Sequence, residues 1–154
     1  MALLPTPFRL PRTDLLTPDR RVESSEALYA GGPAVVLIGH KNCKTTRQTL
    51  PFVDRIHKDG GRAMALLQDT PAEASAALLK LGLTLPFLCE PDPYALSAAI
   101  GLDVVPTLLF IESNGTVVLT SEAFRRPDLE AFAKRLGAPV PVIENDTMPG
   151  FKPG

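Results

Sequence analysis

The fold class this sequence predicts is α/β, a sandwich with helices packed on both faces of a mixed central β-sheet. Three observations carry that prediction. Ala34-Val-Val-Leu-Ile-Gly39 and Ala63-Met-Ala-Leu-Leu-Gln68 are short apolar runs without alternation, the sign of strands buried on both faces. Helical patterns with their own start and stop signals separate such runs. A hairpin over Asn114-Gly115 and a closing amphipathic helix then complete an order of elements that makes a layered α/β domain.

Taken in order, Phe8 to Val22 holds Thr17-Pro18-Asp19-Arg20, a type I turn between short extended segments, which predicts an N-terminal hairpin. Ser24 to Leu28 reads as a brief helical turn. After Gly39 a helix runs from about Cys43 to Lys58, with Leu50, Val53 and Ile56 on its inner face and Asp59-Gly60-Gly61 ending it. Pro51 lies inside it, removes the bond to the carbonyl of Arg47 and bends the rod. Thr70-Pro71-Ala72-Glu73 is a capping box with proline at the first helical position, opening a helix to about Leu81. Leu85 to Cys89 reads as a third buried strand, and Asp92-Pro93 as the cap of a helix to Ile100. Thr107 to Ile111 and Thr116 to Thr120 form the hairpin, and Pro127 to Leu136 is a helix stopped by Gly137.

The chain has 154 residues, 45% of them hydrophobic, so one domain can bury about two-thirds of the surface its unfolded form would expose. The domain is expected over residues 1–138. Residues 139–154 hold four prolines and no period, and should run extended over the surface as a tail. A formal net charge of −1 with both signs dispersed gives neither a nucleic-acid footprint nor a polybasic membrane anchor. Met1 to Pro7 lacks a positive n-region and an apolar h-segment, and two cysteines make no disulfide framework. A cytoplasmic location is the expectation. No metal is expected, because His40 and Cys43 are two ligands where about four are usual, and no cofactor motif is present.

Chemistry gathers at His40-Lys41-Asn42-Cys43-Lys44-Thr45-Thr46. Cys43 falls just past a buried strand where a helix must begin. Free N–H groups and the positive end of the helix dipole favour a thiolate there, and Lys41 and Lys44 add positive charge. A free cysteine is ordinarily a small core hydrophobe. Its place at the junction sets Cys43 apart, whereas Cys89, inside an apolar strand, keeps the ordinary reading. His40, three residues earlier, can act as base or imidazolium partner, or can simply face solvent at the strand end. Thr46 can hydrogen-bond a sulfur or hold the first turn, or it can mark the loss of a second thiol.

These residues, with Pro51, Val105-Pro106-Thr107 and the order of elements, resemble the thioredoxin-like superfamily, and most closely its TlpA-like or redoxin (AhpC-TSA-like) branch. The resemblance covers about residues 5 to 138. Cys43 matches the first cysteine of the Cys-x-x-Cys site and Pro51 the helix kink, while Thr46 stands where the resolving cysteine is expected. The site is therefore a degenerate Cys-x-x-Thr. The αβ element between Cys43 and Pro106 is an insertion of the kind that branch carries. The resemblance further implies a cis Val105–Pro106 bond, with Val105, Pro106 and Thr107 forming a groove that pairs with an extended substrate strand. Two departures stand out: Asn42 replaces the aromatic that usually precedes the first cysteine, and the acidic group that often aids proton transfer is missing at Thr49 and at Leu37.

The function implied is thiol–disulfide chemistry through one cysteine, either monothiol exchange or thiol redox sensing. Cys43, Thr46, His40 and Lys44 are the candidate catalytic residues, and protein disulfides or low-molecular-weight thiols the partners. A non-catalytic binding module using the groove at Pro106 is the alternative. A peroxiredoxin-like thiol peroxidase is a further one, although such a site wants threonine three residues before its cysteine, where this chain has His40. A glutathione-peroxidase-like site wants a tryptophan, and the chain has none.

Overall fold

The structure is a computed structural model and describes residues 4–154. Its strands are β1 (Phe8–Arg9), β2 (Asp14–Leu16), β3 (Val22–Ser24), β4 (Ala34–Gly39), β5 (Ala63–Leu67), β6 (Phe87–Cys89), β7 (Thr107–Ile111), β8 (Thr116–Glu122), β9 (Phe124–Arg125) and β10 (Phe151–Lys152). Its helices are α1 (Lys44–Lys58), α2 (Pro71–Lys80), α3 (Ala95–Ile100) and α4 (Arg126–Arg135), with a 3-10 turn over Ser25–Leu28. Among the described residues the main sheet has eight strands in the order β1-β8-β7-β4-β5-β6-β2-β3, and β9 and β10 form a separate pair. β4, β5 and β6 run parallel, and β7, β8 and β1 run antiparallel to their neighbours, so the sheet is mixed.

β4 sits at the centre because it is apolar on both faces. Val35 and Leu37 point into a core shared with Leu50, Val53 and Ile56 of α1, Ala74 and Leu78 of α2 and Leu129, Phe132 and Ala133 of α4. Val36 and Ile38 point the other way, toward Leu28, Leu96 of α3 and Leu109. A strand with alternating polar residues could not occupy this place without leaving polar groups buried. The N-terminal hairpin β2–β3 forms around the Thr17–Arg20 turn, where the Thr17 carbonyl accepts from the Arg20 N–H at 2.9 Å.

Local signals set most boundaries. Thr70 accepts from the Glu73 N–H and Glu73 reaches back to the Thr70 N–H, a complete capping box, with Pro71 opening α2. Gly137, at φ 74°, and Gly101, also at φ 74°, end their helices in the left-handed region. Pro51 lies within α1, which continues to Lys58 although Pro51 offers no N–H to the Arg47 carbonyl.

Two expectations are corrected. β6 begins at Phe87 rather than Leu85, since only its last three residues meet β5 in the ladder. α3 begins at Ala95, and Asp92-Pro93 does not cap it. The cap comes instead from buried Glu90, whose carboxylate accepts from the Ser97 N–H at 2.7 Å and the Ser97 hydroxyl at 2.6 Å. Along the C-terminal stretch Arg126 pairs with Asp146 at 2.8 Å and donates to the Met148 carbonyl, and Phe151–Lys152 adds antiparallel to β9.

Phe110 is 1% exposed and meets the edge of Phe132 with ring centroids 6.0 Å apart. Phe110→Ala should lower stability by about 3–5 kcal/mol, because a ring-sized cavity opens at the sheet–helix seam. Chemical denaturation checks this.

Candidate thiol site

The site is built at the C-terminal end of β4. Gly39 closes the strand so tightly against α1 that a β-carbon there would lie 2.7 Å from both the Oγ1 and Cγ2 atoms of Thr46. The chain then turns through His40, Lys41 and Asn42, with the Cys43 N–H donating to the His40 carbonyl at 3.2 Å. Cys43 is the N-cap of α1, half-buried, and its side chain makes no capping hydrogen bond. Its sulfur instead donates to the Val105 carbonyl at 3.6 Å. Val105 arrives there because β7 pairs with β4 in a register that sets Ile38 opposite Thr107, two residues after Val105. The Val105–Pro106 peptide is cis.

A polar frame holds the turn before Cys43. The Lys41 N–H donates to the Asp69 carboxylate at 3.0 Å, and the Arg47 guanidinium donates to the Lys41 carbonyl at 2.6 Å. The Lys41 ammonium pairs with Glu73 at 2.7 Å. That hydrogen bond, supported by those from Thr70, brings the Glu73 carboxyl down to about 2, and in return raises the Lys41 ammonium. Burial pushes the Asp69 carboxyl upward, partly offset by the Lys41 N–H. On the other side, a cavity of about 300 Å³ is lined by His40, Gln68, Tyr94, Ser97, Val104 and Val105. Gln68 donates to Ser97 at 2.9 Å, which joins this wall to the Glu90 cap.

Cys43 and Val105 are thus brought into contact, and His40 lies beside both. Pro106 and Thr107 follow in the same strand entry, where the Thr107 hydroxyl donates to the Val104 carbonyl at 2.6 Å. Lys44 is exposed at the first position of α1 and makes no ion pair among the described residues. Lys41 gives its charge to Glu73 rather than to the thiol. Thr46 is fully buried, and its hydroxyl has no hydrogen-bond partner among the described residues, so of its possible roles the bond to the sulfur is not made. The reason is its packing under Gly39.

Sequence reasoning missed Gln68, Tyr94 and Glu90 on the cavity side, and Thr45 and Gln48 of α1, which bond to Pro153 and Lys152. Tyr94 is left-handed at φ 60°, a conformation that no local motif announces. Cys89 is a free, fully buried thiol in the core, and burial, with Asp69 nearby, pushes it up to about 12.

No protein-family model matches this sequence, and no relative is found among curated proteins. Solved structures do match in fold. The thioredoxin domain of a thiol-disulfide oxidoreductase from Bacteroides vulgatus superposes with a TM-score of 0.72 at 12% identity, over 86% of this chain and 98% of that one. A secreted Mycobacterium tuberculosis disulfide oxidoreductase homologous to E. coli DsbE gives 0.65 at 15% identity, over 80% and 96%. The pneumococcal exposed lipoprotein thioredoxin from Streptococcus pneumoniae gives 0.62 at 23% identity, over 82% and 100%.

Two outcomes follow from the geometry. In the native protein at pH 8 Cys89 should stay unalkylated and react only after unfolding, as mass spectrometry of labelled peptides would show. The Glu73 carboxyl should titrate near 2 by NMR, and in Lys41→Met it should move back toward the ordinary glutamate range. Its folded value is depressed, so the stabilisation from this contact is present above the unfolded glutamate pKa and is lost as pH falls toward 2.

Proposed function

We propose that this chain, whose fold is that of the thioredoxin-like thiol–disulfide oxidoreductases, performs thiol–disulfide exchange through Cys43 alone. The observation that carries the reading is the placement of the Cys43 sulfur, half-buried at a strand-to-helix junction and 3.6 Å from the Val105 carbonyl. The backbone at Val105, beside the sulfur, can then receive an extended chain bearing a disulfide.

Deprotonated Cys43 attacks one sulfur of a disulfide R–S–S–R′. A Cys43–S–S–R bond forms, the S–S bond of the substrate breaks, and R′–S⁻ leaves with the electron pair. Thr46 carries a hydroxyl and offers no second thiolate, so an external thiol attacks the mixed disulfide, takes R as its own mixed disulfide and regenerates Cys43. Protein disulfides and low-molecular-weight thiols are the substrates this cycle requires. His40 lines the adjoining cavity beside Val105, which supports it as the proton donor to the leaving thiolate.

A second reading is a binding module without catalysis. It draws on the absence of any capping N–H contact to the sulfur, whose hydrogen bond goes to a carbonyl. Rapid alkylation of Cys43 supports exchange, and slow alkylation supports the module.

Thr46→Cys should form an intramolecular disulfide with Cys43 on mild oxidation, since the first turn of α1 brings positions 43 and 46 within bonding reach in this fold. Wild type should then be inactive in a dithiol insulin-reduction assay yet form mixed disulfides with small thiols, and the variant should gain reductase activity. Wild-type turnover as fast as a dithiol thioredoxin would refute the single-cysteine mechanism.

A further inference from the structure

The segment Phe151-Lys152-Pro153-Gly154 lies over the thiol site. Its course is pinned at successive points. The Arg126 N–H donates to the Gly150 carbonyl at 2.8 Å, and Phe151 and Lys152 pair with Arg125 and Phe124 of β9. The Arg125 guanidinium stacks 4.5 Å from the centre of the Phe151 ring, and the Lys152 ammonium donates to the Gln48 side chain of α1. The Thr45 hydroxyl, two positions after Cys43, donates to the Pro153 carbonyl at 2.6 Å. Gly154 then rests on Val105: a β-carbon there would collide with the Val105 carbonyl oxygen and lie 2.8 Å from the Val104 side chain.

That carbonyl is the one that accepts from the Cys43 sulfur. An extended substrate strand pairing with the backbone at Val105 would need the space Gly154 fills. Both cannot be seated together. The contacts that hold the segment are mostly polar, and its own residues stay largely exposed, Phe151 to 44%. Such an attachment holds through the high effective concentration of a tethered ligand rather than through strong contacts, which leaves it displaceable.

We propose that residues 151–154 are an intramolecular occupant of the peptide groove beside Cys43, and that an extended polypeptide disulfide must displace them to react. The proposal rests on the thiol-exchange reading. Small thiols and small alkylating agents, which need no backbone pairing, reach the sulfur with the segment in place. The tail thereby biases the site against polypeptides and in favour of small thiols until a partner lifts it.

The test uses the whole 154-residue chain with changes in residues 151–154 alone. Gly154→Val places a side chain against the Val105 carbonyl and lifts the segment, and Phe151→Ala removes the ring from Arg125. Two rates are measured for wild type and each variant: reaction of Cys43 with an extended peptide whose cysteine carries a 2-thiopyridyl disulfide, followed by 2-thiopyridone release, and reaction with iodoacetamide. The peptide rate should rise by about tenfold in Gly154→Val, corresponding to roughly 1.4 kcal/mol of lost competition, while the iodoacetamide rate stays within about twofold. Amide exchange across the β9–β10 ladder should quicken in the same variant. An unchanged peptide rate with normal iodoacetamide reactivity overturns the proposal alone, as does an equal rise in both rates, which would mean general shielding. A Cys43 that resists iodoacetamide in every variant overturns the thiol-exchange reading and this proposal with it.

Discussion

The close contact between Gly39 and Thr46 is the constraint on which the site depends. A helix beginning immediately after a central strand can settle at several heights above the sheet. Here the absence of a side chain at Gly39 lets the first turn of α1 come down until Thr46 touches the strand backbone. That descent sets the height of Cys43. The register of β4 with β7, Ile38 opposite Thr107, then carries Val105 up beside the sulfur. A larger residue at position 39 would raise the helix and separate the two, since the interior has no spare volume to absorb a methyl group.

The charged residues around the site act on the backbone more than on the sulfur. Lys41, Asp69, Glu73 and Arg47 bind one another and the main chain of the turn before Cys43. Glu90, Ser97 and Gln68 do the same on the cavity side, where a buried carboxylate would be costly without its donors. Together they form two braces, one on each side of the His40–Cys43 turn. The sulfur is left with backbone groups as its near polar neighbours.

The fold was readable wherever one segment carried its own instruction. β4 and β5 show their burial as unbroken apolar runs, α2 announces its start through Thr70 and Glu73, and Asn114-Gly115 marks the β7–β8 turn. The failures have a common cause. α3 is capped by Glu90, which lies outside the helix, while the nearer Asp92-Pro93 carries the local pattern of a cap without making one. β10 is a two-residue strand whose only reason to exist is β9, and no pattern within a proline-rich tail can encode a partner more than twenty residues away.

By itself, the sequence determined an α/β domain with a cysteine at the start of a proline-containing helix, a threonine in place of the second thiol, and a Val-Pro-Thr strand entry. These follow from periodicity, capping chemistry and residue type, which act over a few neighbours. Tertiary structure alone decided what surrounds that cysteine. It took the Lys41 charge to Glu73, turned the Thr46 hydroxyl under Gly39, opened a cavity between His40 and Tyr94, and laid the tail across Val105. Each of these depends on which distant backbone arrives at the C-terminal end of β4. That is settled by sheet register and packing, and neither is written in any one stretch of the chain.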